Sequence, residues 1–501
     1  MYLKFQSLVH CINVGECSSI IFDRALQDNI LGVVDKLAYK DGKEVQVSTL
    51  FRVGSAEVDN ESPVCDLKEE LENYLSNQFP HDCDIKRFKT QDTLVYIFTS
   101  GTTGMPKPAY CDHFRILSGA MIAADTIGVS KSNPDRIYCC MPLYHSAGQS
   151  SSVGMTATTG CTVIIRSKFS VGRFWRDCSE YNATAAQYIG EMCRFLLAAP
   201  RSPDEERAKL KVMFGHGLNK LTWAKFVERF HVGRIVEVYA STEGAAGAIN
   251  TRGKVGAVGF IPLTIPVSPL GLIKVDEEGA PLRDPNTGMC IRCSPGEVGL
   301  LVSKILSFDR GGPKAFKPYV NNEEATKKKL LRNVWKRGDS VFSTGDVMTM
   351  DEHGWLFFQD RTGDTFRWRG ENVSTTEVEA VMSSILGGRT VAVYGVRLKG
   401  IEGRAGMAAI HDPGSALDLA QLATDLDHQL PRYAHPKFVR LVQHIDLTGT
   451  FKLQKTRLKQ EGFENIGSDK LYFRAPREVE YRLLDESSRR EVMHNPIVFG
   501  F

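Results

Sequence analysis

The sequence predicts an α/β protein: a large layered first part, in which helices cover mixed sheets, and a smaller α+β second part. Three observations carry this reading. Short apolar runs alternate with helically spaced segments through roughly the first 250 residues, the pattern of a layered sheet with covering helices. From about 254 to 303 the texture changes to short strands such as GLIKV (271–275) and GLLVS (299–303), spaced by glycine and proline turns. That texture reads as a small barrel-like β part. Near 360 a second boundary falls, followed by about a hundred residues with their own strand and helix signals, a normal domain size.

The elements follow in order. Leu94 to Phe98 are five consecutive apolar residues and read as a short buried strand. They run into Thr99, Ser100, Gly101, Thr102, Thr103 and Gly104, with Lys107 at the end. Glycines let backbone N–H groups approach a phosphate closely, hydroxyls add donors, and the lysine adds charge. Phe114, Leu117, Met121 and Ala124 then follow helical spacing. The stretch therefore predicts a polyphosphate cradle between a strand and a helix. A P-loop does not fit, because Met105 and Pro106 separate Gly104 from Lys107 and Pro108 follows. Residues 161–165 (CTVII) and 235–238 (IVEV) read as buried strands, with helices at 174–181 and 221–230. Ser374 followed by Glu377 is a capping box, and Val378, Val381, Met382 and Ile385 give that helix one apolar face. A strand at 390–396, a helix at 416–430 and a strand at 437–443 complete the second part.

Composition narrows the function classes. A net charge of +3 over 501 residues argues neither for a nucleic-acid partner nor for an acidic tail, and no nucleic acid is expected. Lys327 to Lys329 read as a solvated helix face. The 12 cysteines are scattered; Cys290 and Cys293 alone have CxxC spacing, which leaves a four-thiolate zinc site incomplete and favours free thiols. No apolar stretch reaches the roughly 18 residues of a membrane span.

Four further polar, glycine-punctuated clusters share the look of the first: Met141 to His145, Tyr239 to Gly244, Ser343 to Asp346 and Gly449 to Lys452. Each alone reads equally as a turn, a cap or a core histidine. In this order, and with DRTGDTFRWRGEN at 360–372, they resemble the acyl-adenylate-forming enzymes. QYIGEMCRFLL (187–197), ATKKKLL (325–331) and TGDTFRWRGENVSTTEVE (362–379) narrow the resemblance to the fatty acid transport protein and very-long-chain acyl-CoA synthetase family.

The resemblance implies an ATP- and Mg²⁺-dependent fatty acid–coenzyme A ligase that works through an acyl-adenylate. The loop Thr99, Ser100, Gly101, Thr102, Thr103, Gly104 and Lys107 would cradle the β- and γ-phosphates, with Thr102 also beside the metal. Tyr239 would stack on adenine, and Gly215, His216 and Gly217 would form the adenine-side loop. Thr242 would contact the α-phosphate and Glu243 would bind Mg²⁺. Asp346 would take the ribose hydroxyls beside Arg361, His145 would line the acyl pocket, and Lys452 would bridge the α-phosphate and the carboxylate. The implied domains are 1–360, a hinge at 361–364 centred on Gly363, a mobile part at 365–470 and a tail at 471–501. Arg367 and Arg369 are candidates for the coenzyme A phosphates after rotation.

SLVHCINVGECSSIIF (7–22) resembles the middle of the family's first subdomain, so the first domain is expected to lack its start and the membrane-anchoring stretch there. The expected partners are a long-chain fatty acid, ATP and coenzyme A; a homodimer is compatible with this. The expected location is a cytosol-facing membrane surface of the endoplasmic reticulum, plasma membrane or peroxisome, held peripherally. Two alternatives stand beside this reading: a membrane-associated fatty acid transporter with weak or lost ligase activity, and an adenylating enzyme with another acceptor.

Overall fold

The computed structural model describes residues 5–34, 39–40, 43–44, 47, 49–54, 64–73, 88–99, 105–129, 135–243, 247–263, 268–276, 279–305, 316, 318–362, 364–368, 371–399, 401, 403–414, 416–448, 451–463, 465–475 and 478–494. Two compact units emerge, Met1–Ile116 with Lys317–Lys327, and Leu117–Phe316 with Lys328–Phe501.

In the first unit, strands Ser19–Asp23, Thr49–Val53 and Val64–Asp66 form a parallel sheet. Phe22, Ile30, Leu50 and Val64 make its small core. The Leu94–Phe98 run lies in strand Thr93–Thr99, which pairs antiparallel with Lys107–Asp112. Two expectations change here. The strand is not buried throughout: Ile97 is enclosed, whereas Leu94 and Tyr96 face solvent. A hairpin strand alternates its faces, so a continuous apolar run does not guarantee burial on both. A second strand also intervenes between the glycine-hydroxyl loop and the helix His113–Ile127, so the loop joins two strands. Ser100 to Gly104 themselves lie outside the described residues.

Among the described residues the second unit holds three larger sheets and a two-stranded one, Phe366–Trp368 with Glu371–Val373. The first is six-stranded, in the order Gly247–Asn250, Ile235–Ala240, Val212–His216, Ala185–Ile189, Arg136–Cys139, Thr162–Ile165. All neighbours run parallel except the Gly247–Asn250 edge. Helices cover this sheet, so its strands are apolar almost throughout, as parallel strands must be. Trp223, Phe226, Phe230, Phe174 and Trp175 on helices Lys220–Phe230 and Val171–Glu180 pack over one face. Ala120, Ala124, Met155 and Ile137 belong to the core of the other.

The second sheet is antiparallel, in the order Gly259–Phe260, Trp355–Arg361, Ser340–Met350, Val298–Lys304, Leu270–Ile273. The barrel-like part read between 254 and 303 is thus completed by strands well beyond it. Their alternating pattern buries Phe342, Met348 and Leu356 against Leu272 and Leu301.

The third sheet, Val391–Val396, Ala405–His411, Phe438–Val442, Lys470–Phe473 and Arg482–Leu483, has its own core. Helix Thr375–Ile385 starts where the capping box places it, with Ser374 Oγ accepting from the Glu377 N–H at 3.2 Å. Val378, Val381 and Met382 are buried from that helix, as its spacing predicts. Helix Leu419–Gln429 is capped by Asp418.

A polar clasp joins the strand Trp355–Arg361 to helix Thr375–Ile385. Asp360 Oδ2 accepts from the Thr375 N–H at 2.7 Å and from its hydroxyl at 2.9 Å, while Ser374 Oγ donates to the Gln359 carbonyl at 2.7 Å. Lys455 Nζ reaches Thr375 Oγ1 at 2.8 Å and Glu379 at 2.7 Å. These groups sit away from water, where an unmade hydrogen bond is costly. Thr375→Val is expected to lower stability by about 1–3 kcal/mol through the stranded Asp360 and Lys455. A urea unfolding midpoint equal to wild type would rule this out.

Candidate functional site

Three neighbouring parallel strands end on the same side of the sheet, and their loops carry the expected residues. Ligands in open α/β sheets lie outside such carboxyl ends. Strand Ala185–Ile189 runs into helix Gly190–Ala198; Val212–His216 runs into Gly217; Ile235–Ala240 runs into Thr242 and Glu243. Two glycines are required here. Gly217 has φ +78°, a left-handed backbone. A Cβ on Gly190 would lie 1.8 Å from the Gly217 carbonyl oxygen, so only glycine lets the two loops cross.

Glu237 holds these loops. It is buried in the middle of its strand. Its Oε1 accepts from the N–H of Gly217 at 2.5 Å and of Leu218 at 3.2 Å. Its Oε2 accepts from the Tyr188 hydroxyl at 2.5 Å. Burial pushes its pKa up to about 8 despite these donors. The geometry also suits the protonated form, since Tyr188 Oη can turn to the Val236 carbonyl at 3.3 Å. Glu237 is absent from the residues expected above. A charged residue within an otherwise apolar strand was the signal for it, because a buried charge needs partners.

Tyr239 points its hydroxyl to Asp346 Oδ2 at 2.5 Å. Asp346 in turn pairs across the antiparallel ladder with Arg361, whose Nε stands 3.7 Å from Oδ1. The Ser343–Asp346 cluster lies inside a strand, where Gly345 at φ +79° gives a local kink. Thr344 Oγ1 donates to the Leu301 carbonyl at 2.8 Å and accepts from the Asp346 N–H at 3.0 Å, which fixes the aspartate.

Lys452 joins this group from the far end of the chain. Its side chain presents surface to solvent, while neighbouring protein crowds its ammonium. That partial burial, with Arg361 nearby, lowers its pKa; Asp346 and Glu243 oppose the shift. His145 and His216 lie in the same field. Burial, then the Lys452 charge, brings His145 down to about 4. The same causes, with His145 added, bring His216 to about 3. Both imidazoles are therefore neutral near pH 7. His145 caps a short helix, Nδ1 accepting from the Ala147 N–H at 3.2 Å. Gln187 braces that turn by donating to the Ala147 carbonyl at 3.0 Å.

The structure thus brings together Tyr239, Asp346, Arg361, Glu243, Lys452, His145 and His216, drawn from segments more than 300 residues apart. Gly215 is packed under Tyr188, where a Cβ would meet the Tyr188 carbonyl oxygen at 2.0 Å. Thr242 sits in the turn before Glu243. Thr99 and Lys107 belong to the first unit, where Thr99 Oγ1 donates to the Lys107 carbonyl at 3.2 Å. Ser100, Gly101, Thr102, Thr103, Gly104, Gly244, Gly363 and Arg369 lie outside the described residues.

The donor set suits a nucleotide and its metal. Asp346 offers two acceptor oxygens, as a ribose diol needs. Glu243 offers one carboxylate, which matches Mg²⁺, an ion that takes one or two carboxylates and fills its remaining positions with phosphate oxygens and water.

A family model described as AMP-binding enzyme matches residues 3–301, and one described as AMP-binding enzyme C-terminal domain matches 377–452. Long-chain fatty acid transport protein 1 of Mus musculus is 48% identical over 398 residues, 79% of this chain and 61% of that protein. The chain thus spans under two thirds of that relative's length. Long-chain fatty acid transport protein 6 of Mus musculus is 36% identical over 99% of this chain and 77% of that protein. ATP-bound MatB from Rhodopseudomonas palustris shares the fold, with a TM-score of 0.69 at 22% identity over 92% of this chain and 82% of that one. So does the anthranilate CoA ligase AuaEII bound to anthranoyl-AMP, with a TM-score of 0.71 at 17% identity over 92% of this chain and 81% of that one. On these matches the chain belongs to the AMP-binding enzymes and, within them, to the long-chain fatty acid transport proteins.

Proposed function

We propose that the chain activates a long- or very-long-chain fatty acid with ATP and Mg²⁺, releases pyrophosphate, and passes the acyl group to coenzyme A. The observation that carries this is Lys452, whose ammonium lies within electrostatic reach of Arg361, Asp346 and Glu243. A fatty carboxylate attacking the α-phosphorus brings two anions together. At ~4 Å and an effective dielectric of 20 their repulsion is about 4 kcal/mol. A fixed cation between them offsets it. Lys452 is that cation. In the second half-reaction the coenzyme A sulfur attacks the acyl carbonyl and AMP leaves with its oxygen.

The remaining roles are those that the family resemblance implies. Tyr239, tethered through its hydroxyl, offers a ring face to adenine, flanked by the Gly215–His216–Gly217 loop. Asp346 takes the ribose hydroxyls, with Arg361 beside it. Thr242 donates to the α-phosphate, and neutral His145 lines the acyl side without adding charge. Thr99 to Lys107 are the candidates for the outer phosphates, and Thr102 for the metal, on the family resemblance alone. Mg²⁺, held through Glu243, would neutralise the phosphates as charge moves onto the leaving pyrophosphate. The part after residue 364 rotates about Gly363 between the two half-reactions, withdrawing Lys452.

Among the described residues no helix is long and apolar enough to cross a membrane. We place the chain peripherally on a cytosol-facing membrane, in keeping with the relatives' names, where capture of a fatty acid as its coenzyme A ester would draw it inward. The test is a chain-length series of fatty acids with ATP, Mg²⁺ and coenzyme A. Acid-dependent pyrophosphate release and thioester formation, greatest for long chains, are expected. Pyrophosphate release with thioester absent would favour another acceptor; no release for any acid would defeat the ligase reading.

A further inference from the structure

We propose that Phe451 is a positioning residue that couples docking of the C-terminal part to placement of the Lys452 ammonium. This rests on the reading that the cleft forms an acyl-adenylate. Phe451 has φ +57°, a left-handed backbone that bulky residues rarely adopt. Such a conformation persists only where surroundings enforce it, and it is a pointer to function. Here the surroundings are two rings. Phe451 meets Phe169 edge-on at 5.9 Å between centroids and Phe195 at 6.3 Å. Both belong to the part that carries the six-stranded sheet, and Phe451 packs against that sheet's core.

The backbone is set to turn neighbouring side chains apart. The Phe451 N–H donates to the Thr448 carbonyl at 2.9 Å, the Thr448 N–H to the Lys452 carbonyl at 2.9 Å, and the Lys452 N–H to Thr448 Oγ1 at 3.0 Å. This tight turn links a ring seated in an aromatic socket to a lysine in the cleft. A lost ring contact therefore moves the ammonium.

Helix Gly190–Ala198 supplies the socket and a second hold beside it. Phe195 is one wall, and the Arg194 guanidinium lies 4.6 Å over that ring. Arg194 also donates to the Gly388 carbonyl and to Thr390 Oγ1, the latter at 3.1 Å. One helix turn thus grips the C-terminal sheet and seats the residue next to the lysine. Edge-on aromatic contacts are directional, so the socket selects one docking position.

The test uses the full chain with palmitate as acid and two separate assays. The first is palmitate-dependent ATP–pyrophosphate exchange; the second is conversion of supplied palmitoyl-adenylate and coenzyme A to thioester. Phe451→Ala is expected to slow exchange about 100-fold, the scale for a catalytic group displaced by ~1 Å. Thioester formation should stay near the wild-type rate, since Lys452 is withdrawn there. Phe451→Leu should recover most of the exchange. Phe195→Ala should slow exchange as well, and should add little in the Phe451→Ala background. Equal loss in both assays, no loss in either, or multiplying effects of the two alanines would each overturn the proposal. A wild-type chain without exchange would instead bring down the adenylation reading on which it rests.

Discussion

Lys452→Ala is expected to slow adenylate formation by about 10²–10³-fold, the scale for removing one preorganised transition-state donor. The same variant should still convert supplied acyl-adenylate and coenzyme A to thioester. The asymmetry follows from charge. Adenylation brings a carboxylate onto a phosphate, whereas the second half-reaction brings a thiol onto a carbonyl whose leaving group is AMP. Lys452 is the cation that reaches the cleft from the C-terminal part, in the field of Arg361, Asp346 and Glu243. Its pKa is lowered by partial burial and by Arg361. The ammonium, and with it adenylation, is therefore lost on raising the pH through a value below its ordinary 10.5. In wild type the exchange rate should show that alkaline limb; in Lys452→Ala the limb should vanish with most of the rate. Equal loss of both half-reactions would count against a rotating C-terminal part.

Glu237→Ala is the second large effect, and it falls on stability. The substitution orphans the N–H groups of Gly217 and Leu218 and leaves the Tyr188 hydroxyl only the longer bond to the Val236 carbonyl at 3.3 Å. At about 1 kcal/mol or more for each of the two orphaned donors, the loss is at least ~2 kcal/mol. Urea unfolding should show it as a lowered midpoint. The loops bearing His216 and Gly190 lose their common anchor, so adenine binding weakens in the same variant. Glu237→Gln separates charge from hydrogen bonding. The folded pKa is raised from the usual 4.5 to about 8, so the folded state holds a proton that the unfolded chain has released. That stabilisation is complete below about pH 4.5 and fades as the pH rises through about 8. Wild type should lose melting temperature across this window, and Glu237→Gln should lose less. Parallel melting curves for the two would show that burial does not hold the proton there.

Much of the fold was legible in local pattern. The capping box at Ser374, the apolar face behind it and the buried strand at 235–238 needed only spacing and residue type; the expected strand at 161–165 forms as Thr162–Ile165 but lies at the sheet edge, where Thr162 and Ile165 are exposed rather than buried. The hairpin at Thr93–Thr99 was not legible, because Lys107–Asp112 carries proline and charge amid apolar residues and its partner sets its strand character. The antiparallel sheet escaped similarly. Its inner strands follow its outer ones in the chain by dozens of residues, and long-range pairing leaves no local trace.

For the site, the sequence by itself determined the chemical types: an acid in a strand-end turn, an aspartate beside a kink glycine, an arginine opposite it and a late lysine. Each is written in a short motif, because a turn or a ladder position constrains only its neighbours. Only the tertiary structure decided that Tyr239 and Asp346 share a hydrogen bond, that Glu237 ties two loops together, and that Phe451 seats its ring where Lys452 can turn into the cleft. Those relations join strands and helices from three separate parts of the chain, and packing alone brings them within hydrogen-bonding and ring-contact range.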